Sequence, residues 1–206
     1  MERNGLLVEK YSEQVNHWPI HGRHVLAQFD DENIIVYQAF KPSIAEYAVK
    51  NQRFGGADYN PNRMSWIKTN FLWMMYRCGW ASKPNQERVL AIKLSQTNFE
   101  KILANAVSVK YQKDHPIDNK EDLVRLQWDP DHLPNGEKHP QRKAIQLGLK
   151  GEILSKFINE WIVKITDITP LVTEQRCNIS DISKLLTAKE KVYNVKDVVA
   201  RERIFY

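Results

Sequence analysis

The strongest strand-forming segment of the chain is RVLAIKL, Arg88–Leu94, whose aliphatic and β-branched residues predict a strand. A second run, Ile34–Phe40, is β-branched and aromatic and predicts a buried strand. Met64–Ile67 predicts a short strand between them. The first half of the chain is therefore predicted to contain three strands.

Helical patterns separate these strands. Pro42 suits the first turn of a helix after the strand Ile34–Phe40. Thr69 or Asn70 is a suitable cap for a buried helix over Phe71–Cys78, which Gly79 would end. The other predicted helices begin at a capping box of Thr97 and Glu100, extend over Glu152–Lys164, and follow a cap at Ser180.

Two segments late in the chain predict an antiparallel hairpin. Leu123–Trp128 alternates like a strand, Lys143–Leu149 predicts another, and the residues between them are rich in Pro, Asn and Gly. This order of elements favours an α+β fold, a single domain over residues 1–206 with a mixed or antiparallel sheet and packed helices.

Composition limits the classes of partner. The 206 residues carry a formal net charge of +5, which favours a nucleotide, RNA or DNA over acidic proteins. The longest apolar run, Phe71–Tyr76, is far shorter than the roughly 20 residues of a membrane helix, so no membrane partner is expected. Cys78 and Cys177 are far apart in sequence, which favours the reducing cytoplasm over a disulfide-rich compartment.

The segment Asn60–Trp80 concentrates the features of a phosphate or base site. Arg63 and Lys68 supply cations and Trp66 supplies a stacking surface. The N-terminal end of the helix that begins at Phe71 would face anions. These residues are candidates for contact with a nucleotide.

A second group of polar residues lies in the predicted hairpin. Asp129 and Asp131 could hold Mg²⁺ for phosphodiester chemistry, or one of them could act as an acid or base. Arg142 and Gln146 share a strand face and would line the same cleft as Gln127 if the two strands pair.

No metal site is expected elsewhere. The spacing of His17, His21 and His24 would place three ligands on one face of a helix, but Pro19 and Gly22 interrupt that helix. The GxGxxG, GxxxxGK[ST], HExxH and GxSxG patterns are absent, so dinucleotide folds of the usual kind, P-loop enzymes, zincins and α/β-hydrolases lose their usual support.

The string RMSWIKTNFLWMMYRCGWASKPNQERVLAI resembles the family known as domain of unknown function 4291. Supporting stretches are VYQAFKPSIAEYAVKNQRF, LVRLQWDPDH and RKAIQLGL. The resemblance covers roughly residues 20–170 and sets 171–206 apart as a helical extension. It implies a complete, single-domain, cytoplasmic member and supplies no reaction.

A fold-level similarity to ADP-ribosyltransferases rests on the order of strand VYQAF, helix, QRF, short strand MSW, helix and strand VLAIKL. In that superfamily, an Arg or His on the first strand and an aromatic residue or Ser on the second grip NAD, and a later Glu orients the ribose. Gln38 stands at the first position with Tyr37 beside it, and Ser65 and Trp66 stand at the second. Gln38 and the lack of a Gln-x-Glu motif are departures from that pattern.

The similarity implies an enzyme that transfers ADP-ribose from NAD, or uses a related nucleotide, on a nucleic-acid or protein acceptor. Asp129, or less favourably Glu87, would replace the catalytic Glu. The expected catalytic residues are Asp129, Gln127 and Gln38. The expected cofactor-binding residues are Tyr37, Arg63, Ser65, Trp66, Lys68, Arg142 and Gln146. The alternatives are a non-catalytic RNA- or nucleotide-binding module and the Mg²⁺-dependent phosphodiester enzyme.

Overall fold

A computed structural model describes residues 1–116 and 123–206 and forms them into thirteen strands and eight helices. The strands are β1 (Glu2–Arg3), β2 (Leu6–Lys10), β3 (Gly22–Arg23), β4 (Leu26–Ala27), β5 (Asn33–Phe40), β6 (Ser65–Lys68), β7 (Arg88–Ser95), β8 (Ala106–Val107), β9 (Val124–His132), β10 (Lys138–Leu149), β11 (Ile162–Asp167), β12 (Leu186–Ala188) and β13 (Lys191–Val192). The helices are α1 (Tyr11–Gln14), α2 (Pro42–Asn51), α3 (Phe71–Cys78), α4 (Gln96–Ala104), α5 (Val109–Asp114), α6 (Gly151–Lys156), α7 (Thr169–Arg176) and α8 (Val198–Phe205).

The main sheet has the order β11-β7-β5-β6-β10-β9-β8, with β3 pairing β10 as an eighth strand. The pairs β3–β10 and β8–β9 are parallel and the others are antiparallel. β2 pairs β1 and β12 in a small second sheet, and β4 pairs β13. The expected α+β single domain with a mixed sheet is therefore confirmed. Among the described residues, no helix combines the length and the hydropathy that a membrane crossing requires.

The central strands β5 and β7 bury both of their faces because alternate side chains enter different cores. In β5, Ile34 and Val36 pack in one cluster, while Ile35 and Tyr37 pack in another with Phe71 of α3. Helices α2 and α4 cover the first face of the sheet, and α3 and α7 cover the second. This double burial explains why β5 and β7 have nearly continuous apolar sequences.

The predicted helix over Phe71–Cys78 is confirmed residue for residue as α3. The side chain of Asn70 accepts a hydrogen bond of 2.7 Å from the backbone N–H of Trp73. Gly79 ends the helix with φ of +59°, in the left-handed region that glycine adopts freely. Local capping therefore determined the limits of this helix.

The helix predicted over Glu152–Lys164 is wrong in its second half. Helix α6 ends at Lys156, and a π-helical turn over Phe157–Trp161 leads into β11. Ile165 of β11 pairs with Ile92 of β7, so this segment adds an edge strand to the sheet. Pairing with a distant strand outweighs the local helical period here, because β-branched residues suit a strand equally well.

Two predicted helix starts also fail. Ser95, not Thr97, caps α4, because its Oγ accepts a hydrogen bond of 3.2 Å from the backbone N–H of Asn98. Residues after Ser180 form turns and then β12, whose Thr187 pairs with Glu9 of β2. The segment 171–206 thus contains two strands as well as helices, and is not helical throughout.

The predicted antiparallel hairpin is confirmed as β9 and β10, with Gln127 opposite Gln146. Both strands are longer than expected, since β9 continues to His132 and β10 begins at Lys138. Asp129 and Asp131 therefore lie in a strand, where their side chains share one face, and not in a turn.

Candidate functional site

The main sheet has a gap between β5 and β6. The two strands pair at Tyr37 and Lys68, and beyond that pair they separate. A cavity of about 550 Å³ opens there, a volume typical of sites for small molecules. Its walls are the end of β5, the start of α2, the loop before β6, strand β6 itself, one side of α3, the loop before β7 and one residue of β10. We call it the sheet-gap cleft.

Gln38 of β5 bridges the gap. Its Nε2 donates hydrogen bonds to Ser65 Oγ at 2.7 Å and to the backbone oxygen of Trp66 at 3.1 Å. The carbonyl fixes the orientation of the amide, because only a donor can face it. Gln38 Oε1 is then buried without a hydrogen-bond partner among the described residues. Gln38 lines the cleft, and this acceptor has almost no accessible surface, so a ligand N–H or O–H donor would pair with it after a small movement of the side chains around it.

Three cations meet in the cleft: Arg63 from the loop, Lys68 from β6 and Arg77 from α3. Within the described part of the chain, no carboxylate lies within ion-pair distance of any of them. The acidic residue in the lining, Asp58, already pairs with Lys41 at 2.8 Å. The cleft therefore has an excess of positive charge that suits an anion.

Lys68 is the most buried of the three cations, with 4% of its surface exposed. Its Nζ lies 5.2 Å from the centre of the Trp73 ring, a cation–π contact that replaces little of the lost hydration. Burial, assisted by the charge of Arg77, lowers the pKa of Lys68 to about 8, although Asp129 acts in the opposite direction. A buried ammonium group of this kind is the part of the site that most needs an anion.

Aromatic side chains complete the lining. Trp66, Phe40 and Tyr59 are half-buried and line the cleft, and the ring centres of Phe40 and Tyr59 are 6.2 Å apart. Gly148, the cross-strand partner of Trp66, leaves room for that ring, since a Cβ there would come within 3.1 Å of it. Exposed ring faces beside cations are the usual means of holding a base.

Gln146 connects the cleft to Gln127 and Asp129, two of the three expected catalytic residues. Gln146 lines the cleft and lies opposite Lys68 on one side and Gln127 on the other. Its Nε2 donates to Gln127 Oε1 at 2.8 Å and to Asp129 Oδ2 at 2.7 Å. Asp129 is therefore one side chain behind the cleft wall, held in place by Gln146.

Arg142, in contrast, lies outside the cleft lining. Its Nε donates to Asp131 Oδ2 at 2.6 Å, and its guanidinium lies over the Trp18 ring and donates to the backbone oxygen of Pro19 at 2.9 Å. Both members of the ion pair are almost fully buried. The expectation that Arg142 lines a cleft with Gln146 is corrected, because the loop before β3 covers it.

The same contacts restrict Asp131. One of its oxygens pairs with Arg142, and the other accepts a hydrogen bond of 2.7 Å from the backbone N–H of His132. A Mg²⁺ ion shared by Asp129 and Asp131 would have to displace Arg142 from this buried ion pair. The sequence predicts that His17, His21 and His24 do not form a metal site, and this stays a prediction. His24 Nε2 lies 2.9 Å from the backbone oxygen of His21.

Tyr37 is also outside the cleft lining. It is fully buried, packs edge-on against Phe71 with ring centres 5.7 Å apart, and leaves its hydroxyl without a partner among the described residues. Burial raises the pKa of its hydroxyl well above the ordinary value. Glu87, the less favoured catalytic candidate, does not line the cleft; its carboxylate accepts a hydrogen bond of 2.8 Å from the backbone N–H of Asn85.

The structure therefore brings six of the predicted site residues into the cleft: Gln38, Arg63, Ser65, Trp66, Lys68 and Gln146. Sequence reasoning missed Arg77, Tyr59 and Asn85, which also line it. Arg77 carried a usable signal, because it is the one basic residue of the otherwise apolar helix α3 and lies one turn after Met74, which also lines the cleft. Tyr59 and Asn85, which lie in loops, carried no comparable signal in the sequence.

Comparison with protein families matches residues 24–205 to the family described as Domain of unknown function (DUF4291). The match includes the cleft and nearly all of the segment after residue 170. A search of the curated proteins found no match. Because the match covers most of the chain, the chain belongs to the family of domain of unknown function DUF4291.

Proposed function

We propose that the sheet-gap cleft binds a nucleotide, and that the protein is an ADP-ribosyltransferase-like enzyme that uses NAD there. The observation that carries the proposal is the convergence of Arg63, Lys68 and Arg77 on one cleft without a carboxylate partner among the described residues. Guanidinium groups match the geometry of phosphate oxygens and stay charged at all relevant pH values. A diphosphate would supply the missing negative charge.

Two further features support NAD within the class of nucleotides. The Oε1 of Gln38, which has no hydrogen-bond partner among the described residues, would accept a carboxamide N–H, which the nicotinamide group carries, after a small movement of the side chains that cover it. Trp66 offers a ring face for stacking. We place the reaction in the cytoplasm, where the free thiols of Cys78 and Cys177 would remain reduced.

The proposed chemistry assigns one role to Asp129. When the bond from the ribose carbon to nicotinamide breaks, its electron pair leaves with the nicotinamide nitrogen and positive charge develops on the ribose. Asp129 lies behind Gln146 and does not line the cleft, so its carboxylate would act on that charge through the Gln146 amide, whose Nε2 it holds at 2.7 Å. The acceptor, a nucleic acid or a protein, then forms a bond to the ribose carbon and loses a proton to solvent.

Binding of NAD should depend on the two arginines. We expect Arg63→Ala and Arg77→Ala each to weaken NAD binding by roughly 10- to 100-fold, since a hydrogen bond to a charged group contributes about 1.5–3 kcal/mol. Calorimetric titration measures this. The matched control is Arg176→Ala, an exposed arginine on α7 outside the cleft lining. If all three substitutions weaken NAD binding equally and only slightly, the proposal that the cleft binds a nucleotide is wrong.

Release of nicotinamide from NAD, with and without total RNA, tests the reaction itself. We expect Asp129→Asn to abolish release while NAD affinity stays nearly unchanged, because Asp129 lies behind the cleft wall. Asp31→Asn, at an exposed aspartate outside the cleft lining, is the control. Equal loss of turnover and affinity would contradict the role of Asp129. Binding without release from the wild type would favour a non-catalytic nucleotide- or RNA-binding module, and EDTA-sensitive phosphodiester cleavage would favour the Mg²⁺ enzyme.

A further inference from the structure

Lys68 has the surroundings of a reactive amine. Its side chain is 4% exposed, yet it contributes to the wall of a cavity of about 550 Å³. Among the described residues, no hydrogen-bond or ion-pair partner reaches its Nζ, which contacts the ring of Trp73. Most lysines hold their ammonium group in water, so this one is unusual in position and in lack of partners.

The surroundings favour the neutral amine. Burial destabilises the ammonium form, and Arg77 is a second cation close to it, so the pKa of Lys68 falls to about 8. A neutral amine carries the free electron pair that attacks carbonyl carbon, and enzymes activate lysines by desolvation or by a neighbouring cation. Both causes act on Lys68.

The cleft also holds the means to bring a carbonyl compound to this amine. Arg63 and Arg77 line the same cavity, and both are exposed cations. A guanidinium stays protonated where Lys68 does not, so the arginines would hold an anionic group while the lysine remains free. Gln146, the cross-strand neighbour of Lys68, offers polar contacts beside the reacting atoms.

We propose that Lys68 is a covalent nucleophile that forms an imine with an aldehyde bearing a phosphate group, which Arg63 and Arg77 hold. The Nζ electron pair forms a bond to the carbonyl carbon, and the carbonyl π pair moves to oxygen, which takes up a proton. The carbinolamine then loses its hydroxyl with one proton as water, and the second Nζ proton passes to solvent. The balance is amine plus aldehyde giving imine plus water, with no oxidant or reductant. The inference does not depend on NAD as the ligand.

The test uses pyridoxal 5′-phosphate, which combines an aldehyde with a phosphate. The full-length protein is mixed with an equimolar amount, reduced with borohydride and digested, and the labelled lysines are measured by mass spectrometry. We expect Lys68 to carry most of the label, with a labelling rate that rises with pH to a midpoint near 8. Pyridoxal without phosphate should react several-fold more slowly, and Arg77→Ala should remove that difference.

Two variants separate reactivity from folding. Lys68→Arg keeps a cation but forms no imine, so it should lose the adduct, while Lys164→Arg, an exposed lysine on β11, should keep it. Label spread over exposed lysines with Lys68 unmodified would overturn the proposal, and so would a midpoint near 10. If Lys68→Arg does not fold, the proposal is still tested by the wild type, through which lysines carry the label and how the labelling rate depends on pH. NAD titration of the same protein distinguishes the two proposals, since intact binding with an unlabelled Lys68 overturns this one alone.

Discussion

Asp131→Ala lowers the free energy of unfolding by about 3–5 kcal/mol, which is the expected result of breaking a buried ion pair from one side. Asp131 and Arg142 are both almost fully buried, with Nε and Oδ2 2.6 Å apart. The substitution leaves a guanidinium without its counter-ion beneath the loop that contains Trp18 and Pro19. Water cannot easily replace the carboxylate there, so most of the loss comes from the uncompensated charge.

Urea unfolding followed by tryptophan fluorescence measures this difference. The control is Glu174→Ala, which removes an exposed ion pair with Arg3 and should change stability by less than about 1 kcal/mol. The double substitution Asp131→Leu with Arg142→Met should recover most of the loss, because it removes both charges together. If Asp131→Ala behaves like the control, the pair is not buried in solution.

Lys68→Met, in contrast to Asp131→Ala, should raise the free energy of unfolding. Methionine matches the length of the lysine stem, so packing against Trp73 is largely kept, and the cost of burying an ammonium group that no carboxylate of residues 1–116 or 123–206 pairs with is avoided. Between pH 6 and 7 the expected gain is about 1–3 kcal/mol, less than the full cost of burying the charge because the cation–π contact is lost. Lys164→Met, at an exposed lysine, should leave stability unchanged.

The pH dependence of this gain follows from the pKa of Lys68. The folded value of about 8 lies below the ordinary value of 10.5, so between them the unfolded chain binds more protons than the folded protein. The stability of the wild type therefore rises with pH across this window, relative to Lys68→Met, by up to about 3 kcal/mol. Unfolding curves of both proteins at pH 7 and pH 10 measure it. A difference that does not change with pH would show that Lys68 is hydrated in the folded state.

Much of the fold could be predicted where local signals were strong. Phe71–Cys78 has a capping Asn before it and a Gly after it, and Arg88–Leu94 is too rich in aliphatic residues for a solvent-exposed loop. The late segment Ile162–Asp167 could not be predicted in the same way. Its residues fit a helix or a strand, and the choice depends on β7, more than sixty residues earlier in the chain.

In the candidate site, too, some features could be predicted from local sequence and others depend on residues far apart in the chain. Arg63, Trp66 and Lys68 stand close in sequence and were identified as a nucleotide-contact group from residue type alone. Their convergence with Gln38 and Gln146 depends on the order of β5, β6 and β10 in the sheet, which no local pattern contains. Arg142 looked equally suitable from its strand face, and only the covering loop shows that it is a buried partner of Asp131.

The sequence by itself determined the α+β class, the main strands, the helix Phe71–Cys78 and the cationic character of the segment before it. Hydrophobic period and caps act over a few residues, so they can be recognised without knowing the partners of a segment. Only the tertiary structure decided that β5 and β6 separate, that Lys68 is buried without a carboxylate partner in the described part of the chain, and that Arg142 lies outside the cleft. Burial and charge pairing depend on residues far apart in the chain, because strand pairing and packing bring them together.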